Sequence, residues 1–337
     1  EDPPGLTSMP TLAARIKAEA SRLGFLACGI TTLEPLPHAE ELTRWLAGGF
    51  AGNMRYLHRQ AKKRKNPQLA DQTARRAVVV LDNYYYGNAT QGGSAGRHSD
   101  SDEPSDQQAA KLPTIARYAQ GEDYHRVTFR RLEQLAEFLR KNGAATARPY
   151  VDTGPIAERE LAQRAGLGWI GKNTMLIRPG VGSWFFIGSV LTDLELPIDQ
   201  PFETDHCGSC TRCLDACPTG AFVEPRLLDA TRCISYVTIE QKGPIPPEVG
   251  DNLGGWAFGC DICNEVCPWN ERFASPSTIA EFRPRETFDD AGAAFFESMD
   301  EAEFERRFGD TPLSRPGLER MRRNWKAAWR SLSGNID

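Results

Sequence analysis

Cys207-Gly-Ser-Cys210-Thr-Arg-Cys213-Leu-Asp-Ala-Cys217-Pro218 decides the fold. Its spacing, C-x2-C-x2-C-x3-C-P, is that of bacterial ferredoxins. Three thiolates spaced by two residues wrap three corners of an iron–sulfur cube. The chain then turns into a helix that carries the fourth thiolate to a second cube, and Pro218 restricts the backbone behind it. A half-motif follows, Cys260-Asp-Ile-Cys263-Asn-Glu-Val-Cys267-Pro268. It repeats the x2 and x3 spacings and the Cys-Pro ending but lacks a leading cysteine, for which Cys233 is the substitute. The cross-over rule of two-cluster ferredoxins assigns Cys207, Cys210, Cys213 and Cys267 to one [4Fe–4S] cluster. It assigns Cys217, Cys233, Cys260 and Cys263 to the other. Two four-cysteine zinc sites are the alternative, but zinc ribbons do not need Cys-Pro endings.

The chain has 337 residues, nine cysteines and a net charge of −5. The ninth cysteine, Cys28, reads as a small buried hydrophobe. No apolar run is long enough to span a bilayer. Glu1 to Pro10 shows neither a basic nor an apolar leader segment. A reducing, cytoplasmic setting is expected, since eight thiolates must hold oxygen-sensitive clusters. An overall acidic chain is not a non-specific nucleic-acid coat, so any basic face must be local.

A cluster pair alone does not account for the 206 residues before Cys207. The pattern predicts an amphipathic helix over 10–23, with Leu12, Ile16, Ala20 and Leu23 on one side, and a short strand over 25–30. A helix is expected over 39–48, then a basic run, Lys62 to Lys65. Ala77 to Tyr86 reads as the clearest strand. Residues 87–110 are rich in Gly, Ser, Asp and Gln and read as a surface loop. A helix is predicted over 125–141, a strand over 146–151, a helix from Ile156 to Ala165 and a buried strand over 184–191.

Asp152 falls at a strand end just ahead of a predicted helix. It reads either as an N-cap or as a catalytic group placed where sheet folds put them. Gly168-Trp-Ile-Gly171-Lys172-Asn173-Thr174 fits neither a Walker loop nor a dinucleotide fingerprint. It reads as a tight turn or as a polar loop against a ligand. Residues 306–330 are rich in Arg and Lys, with Trp325 and Trp329 interleaved. They read as a solvated helix face or a phosphate-contacting surface.

Val151-Asp-Thr-Gly-Pro-Ile-Ala-Glu-Arg159, Trp169-Ile-Gly-Lys-Asn173 and both cysteine motifs together resemble epoxyqueuosine reductase. So do Gly121-Glu-Asp-Tyr-His125 and Phe308-Gly-Asp-Thr-Pro-Leu313. The resemblance covers roughly residues 10–330. It implies an enzyme, an oxidoreductase that binds cobalamin in its N-terminal domain and carries two [4Fe–4S] clusters. Its substrate is tRNA bearing epoxyqueuosine at the wobble position, whose epoxide oxygen it removes to leave queuosine. Asp152 matches the family's proton donor. Arg64, Gly171, Lys172, Asn173, Thr174, Met175 and Ser183 match regions that line its corrinoid.

Deoxygenating an epoxide consumes two electrons and protons and expels water. Burial beneath a corrin would raise the Asp152 pKa and keep it protonated near neutral pH. The basic tail, Arg320, Arg322 and Arg323 in particular, becomes a candidate surface for the tRNA backbone, as does Lys62 to Lys65. A reductant protein that the sequence does not identify must feed the clusters. A monomer is expected, with no membrane partner.

The expected fold class is α/β (α+β). An N-terminal sheet domain flanked by helices occupies 1–200, a ferredoxin-like two-cluster domain 201–275, and a helical basic segment 276–337. Two other functions remain open. A cobalamin-dependent reductive dehalogenase shares the cofactors but is typically exported behind a twin-arginine leader. A ferredoxin-like relay subunit would need neither a corrin pocket nor a basic tail.

Overall fold

The computed structural model describes residues 10–87, 112–285, 288 and 291–333. Nearly all of the loop expected over 87–110 lies outside the described residues.

The sequence Arg-Ala-Val-Val-Val-Leu-Asp-Asn forms β2 (Arg76–Asn83), whose six inner residues are all buried. A run this apolar suits a strand covered on both faces. It pairs antiparallel with β1 (Ala27–Thr32) on one side and β7 (Phe185–Thr192) on the other, and β7 pairs antiparallel with β4 (Ala147–Val151). The sheet is therefore four-stranded, in the order β1-β2-β7-β4. Every pairing is antiparallel, so α+β is the apt half of the expected class.

Alternation along β2 decides which helix lies on which face. Val78 and Val80 join Ile16 and Ala20 of α1 (Leu12–Arg22) and Leu132, Leu135, Ala136 and Leu139 of α4 (Tyr124–Lys141). Ala77, Val79 and Leu81 pack instead on Ile156 and on Leu161 and Ala162 of α5 (Glu158–Arg164). α1 begins where the Thr11 hydroxyl accepts the Ala14 N–H, and α4 begins at Asp123, whose carboxylate accepts the His125 N–H. α5 starts two residues later than expected. Pro155 stays outside it, in the turn that carries Asp152.

The remaining helices of the first half are α2 (Ala39–Ala47) and α3 (Arg55–Lys65). A short strand β3 (Thr114–Ile115) does not join the large sheet. It pairs in parallel with Trp256–Phe258, which lies in the chain between the two cysteine motifs and packs on the C-terminal helix Gly317–Ser333. Ile115 and Ala119 share a core with Phe258, Phe296, Phe304, Leu318, Met321 and Trp325. Trp45 and Met54 pack against the core around Tyr236 and Val237. Three segments from the first 200 residues are thus built into the structure of the last 140. Trp325, read as a candidate stacking residue, is buried and donates its indole N–H to Gly292 O.

β1 approaches α5 closely. A Cβ on Gly29 would lie 2.2 Å from Ala165 O. Backbone cannot rotate away as a side chain can. Gly29→Ala should therefore destabilise the fold by about 1–3 kcal/mol, read as a lower melting temperature.

Candidate active site and cluster centre

The thiols divide by neighbourhood into two groups. Burial raises the Cys213 pKa to about 11, and the next influences on it are Cys207, Cys267 and Cys210. Cys267, also raised by burial, has Cys207 and Cys210 as neighbours. In the second group, Cys260 is raised by burial, with Cys263 and Cys233 beside it, and Cys233 in turn feels Cys217. Cys263 feels thiols of both groups, Cys233 first and then Cys213 and Cys217. Thiols this costly to ionise alone become thiolates when metal replaces their protons. Among the described residues no three donors close around a single ion. A cube, by contrast, takes its four thiolates at four separate irons. The indole N–H of Trp169 donates to Cys207 Sγ (3.4 Å) and the Ala221 N–H to Cys217 Sγ (3.4 Å). Cys28 lies far from these thiols in sequence and packs on the first core, and burial lifts its pKa to about 12.

β5 (Trp169–Ile170) and β6 (Leu176–Ile177) form a hairpin whose tip is Gly171 to Met175. The Gly171 N–H donates to Met175 O (2.8 Å), and Thr174 sits at φ 67°. The tip is fastened to both cysteine motifs. Lys172 Nζ donates to Gly208 O and Cys210 O (2.6 and 3.0 Å), and Asn173 Nδ2 to Cys263 O (3.3 Å). Asn173 also bonds Asn264, which accepts from Ser183 Oγ (3.3 Å). Asn270 donates to Ser183 Oγ and accepts the Ser183 N–H (2.8 and 2.6 Å). Ser183, Asn264, Asn270 and Asn173 are all buried. The side chains of Lys172, Asn173 and Ser183 are thus engaged by the cluster region. Their sequence reading as lining residues did not anticipate this.

The other side of the tip faces Asp152. Arg159 Nη1 donates to Thr174 O (2.6 Å). Arg64 Nη1 donates to Ile156 O (2.8 Å), and its buried Nε has no hydrogen-bond partner. Asp152 follows β4 directly at φ 53°, in the left-handed region that Asp tolerates better than most residues. Glu158, in the first turn of α5, accepts the Asp152 N–H (2.6 Å). His125 Nε2 lies 3.2 Å from Asp152 Oδ2, and His125 Nδ1 lies 2.7 Å from Asp123 Oδ1. The imidazole stacks on Tyr124 at 4.1 Å, and Tyr124 stacks on Phe186 at 4.1 Å.

This arrangement sets the charges. Burial opposes a charge on His125, but the hydrogen bonds and charges of Asp123 and Asp152 prevail and raise its pKa to about 9. Burial would likewise raise Asp152, yet His125, the Tyr124 hydroxyl and Arg315 hold it below the usual carboxylate range. Asp152 is therefore ionised in this structure, contrary to the protonated acid expected from desolvation. Glu158 behaves oppositely. Burial and the Asp152 charge push it up to about 8, against the Asp152 N–H, Arg64 and Arg159. The Asp152 side chain is 52% exposed although this ring of groups surrounds it. The carboxyl is therefore open to solvent within that ring, and the buried Arg64 Nε, bonded to the same loop through Nη1, is a donor that a polar ligand group could satisfy.

Sequence reasoning missed Glu158, Arg315 and the role of His125. His125 carried a signal in Gly121 to His125. Arg315, which pairs with Glu240 (2.5 Å), was read only as one of the basic residues of 306–330, because only the fold brings it toward Asp152. Arg320 donates to Pro316 O, Ile239 O and Arg315 O, and Arg322 to Phe296 O and Met299 O. Arg323 donates to carbonyls of Gln241, Gly243 and Val237. These guanidinium groups hold the C-terminal helix to its own chain. A cavity of about 630 Å³ beside Arg320 and Arg323 is lined by neither Asp152 nor any thiol.

Residues 64–153 match the family model described as Epoxyqueuosine reductase QueG, DUF1730, and residues 206–270 match a 4Fe-4S double cluster binding domain. An epoxyqueuosine reductase from Xanthomonas campestris pv. campestris is 42% identical over 96% of this chain and 88% of its own length. One from Pseudomonas aeruginosa is 41% identical over 93% of this chain and 83% of its own. The crystal structure of an epoxyqueuosine reductase with an epoxyqueuosine-modified tRNA stem loop superposes with a TM-score of 0.79. It is 29% identical and covers 94% of this chain and 80% of that one. The Streptococcus thermophilus enzyme gives 0.80, at 28% identity, over 95% and 81%.

Two tests follow. Cys233→Ala should remove one of two clusters and about halve the iron per chain. Since the folded His125 pKa lies above the unfolded value of 6.5, its contribution to stability is complete below that pH and lost as pH rises through about 9. The difference in melting temperature between wild type and His125→Gln should shrink across that window.

Proposed function

The chain belongs to the epoxyqueuosine reductase family and is an oxidoreductase; we propose that it removes the epoxide oxygen of epoxyqueuosine in tRNA, with cobalamin fed by two [4Fe–4S] clusters and with Asp152 as proton donor. One observation carries this reading. A single hairpin tip, Gly171 to Met175, bonds both cysteine motifs through Lys172 and Asn173 and accepts Arg159 from the Asp152 side. Electron source and acid thus stand on opposite sides of five residues.

Bound cobalamin would supply a low-valent cobalt able to reduce the strained ring. Arg64, with its unpartnered Nε, and the backbone of Gly171 to Met175 are the groups that would hold it. Asp152 would then protonate the oxygen as its bond to carbon breaks. Glu158 fixes the Asp152 main chain and thereby the direction of the carboxyl. In a Bacillus subtilis epoxyqueuosine reductase an aspartate-bearing catalytic loop is swung out of the active site (TM-score 0.76, 28% identity). Here the Asp152 carboxyl is tied to its surroundings by side-chain contacts with His125 and Tyr124, so the loop's position depends on those two residues.

The tRNA surface we favour is α3. Arg55, His58, Arg59, Lys62 and Lys63 are exposed at spacings of three and four, on one face of a helix with no acidic residue. Arg64 of the same helix reaches the Asp152 loop. Phosphates bound along α3 would bring an anticodon loop to the acid. The bonds of Arg320, Arg322 and Arg323 to carbonyls make them supports of the neighbouring structure, with less freedom to follow a phosphate.

The deciding experiment is anaerobic turnover of an epoxyqueuosine-bearing anticodon stem-loop by reconstituted protein with a strong reductant, read by mass spectrometry of the nucleosides. Loss of one oxygen that depends on cobalamin is expected. Absence of that loss with intact clusters and corrin would end the reading. Asp152→Asn should retain both clusters and corrin and lose about 10²-fold or more in rate. Replacing Arg55, Arg59, Lys62 and Lys63 by Gln should weaken stem-loop binding and flatten its salt dependence by close to one unit of slope per lost phosphate contact.

A further inference from the structure

Removing an epoxide oxygen as water consumes two electrons and two protons for each turnover. A single carboxyl carries one proton. In this structure Asp152 carries none, because it faces an imidazolium. The imidazolium Nε2–H, 3.2 Å from Asp152 Oδ2, is then the most acidic proton bonded to that carboxylate, the Tyr124 hydroxyl being held far from ionisation by burial.

The geometry is that of a relay. Asp123 Oδ1 binds His125 Nδ1 at 2.7 Å and also accepts the His125 N–H at 2.9 Å, so one carboxylate fixes the tautomer and the orientation of the ring. Stacking on Tyr124 fixes its plane. Nε2 is left with one partner, Asp152 Oδ2 at 3.2 Å. The imidazole is a quarter exposed, which leaves an edge open to water. The charged and titratable groups around this line are few. Asp123, Tyr124 and Asp152 surround His125, and the Tyr124 hydroxyl, Arg315, Arg159, Glu158, Tyr118 and Tyr56 surround Asp152.

We propose that His125, oriented by Asp123, is a relay that recharges Asp152, so that the site delivers both protons of the deoxygenation. The step balances. The Nε2–H bond breaks and an Oδ2–H bond forms, turning imidazolium and carboxylate into neutral imidazole and neutral acid. Seating a substrate over Asp152 favours this transfer, since it removes water from an ion pair and leaves two neutral groups. The acid gives its proton to the departing oxygen, and Nε2 regains one from solvent, to which the side chain is a quarter exposed. His125 acts through Asp152 and is not required to touch the substrate.

The inference rests on Asp152 being the acid, and the experiment separates the two. Single-turnover rates across pH would be measured for wild type, Asp152→Asn, His125→Gln and Asp123→Asn holoenzymes, each with cluster and corrin spectra intact. His125→Gln is expected to lose roughly 10²-fold in rate, to shift its alkaline limb to lower pH, and to recover in part with added imidazole. Asp123→Asn keeps an N-capping side chain, so it should fold, and should shift the limb in the same direction with a smaller loss. Separately, the imidazole resonances of His125 should titrate at lower pH in Asp152→Asn than in wild type. If Asp152→Asn is inactive while His125→Gln keeps the wild-type rate and limb, the relay is wrong and the acid stands. A slow His125→Gln with an unmoved limb and no imidazole rescue would reduce His125 to a structural support. An active Asp152→Asn would overturn both readings.

Discussion

A buried joint of four polar side chains, Asn173, Ser183, Asn264 and Asn270, holds the catalytic half of the molecule against its cluster half. Amides removed from water must find partners or cost stability. Here each finds one across the boundary, so the joint has one satisfied geometry. Gly182 is part of that geometry, since a Cβ there would lie 2.1 Å from Asn270 Oδ1. The positions of the hairpin tip, of the Cys263 carbonyl and of Arg159 all follow from it. Apolar packing alone would tolerate sliding at this boundary; a hydrogen-bonded set does not.

The same logic distinguishes the two kinds of cation in the chain. Arginine presents a planar fork that suits carbonyl oxygens as well as phosphates. The arginines of the C-terminal helix use that fork to tie the end of the helix Ile234–Ile239, the loop after it and the turn at 296–299 to themselves. The exposed cations of α3 have no such neighbours, and among the described residues Arg55, Arg59, Lys62 and Lys63 form no ion pair. Counting basic residues along the sequence cannot separate these cases, because the carbonyls in question come from elsewhere in the chain.

How much was legible follows from the range of each signal. β2 was legible because a continuous Val-Val-Val-Leu run is a local property, and so was the apolar stripe of α4. The cysteine spacings encode a loop geometry and were likewise local. The start of α5 was misplaced by two residues because Pro155 suits a turn as well as a first helical position. Asp152 was visible as a strand-end acid, but its ionisation depends on a histidine 27 residues earlier. Arg64, Ser183 and Lys172 were all named for the corrinoid resemblance; Arg64 bonds Ile156 O beside Asp152, whereas Lys172 bonds carbonyls of the first cysteine motif and Ser183 bonds Asn264 and Asn270 in and after the second. Hydrogen bonding at that scale is set by the joint and not by either segment alone.

β3 gives this architecture its history of assembly. Two residues from the first half, Thr114 and Ile115, are laid beside Trp256–Phe258 in the second, with Ala116 and Ala119 buried nearby. A ribosome releases Thr114 long before its partner strand exists. Thr114 and Ile115 must therefore wait unpaired until Trp256–Phe258 has emerged, just ahead of Cys260 in the chain. The stretch of synthesis that supplies the partner of β3 thus delivers the second cysteine motif directly after it.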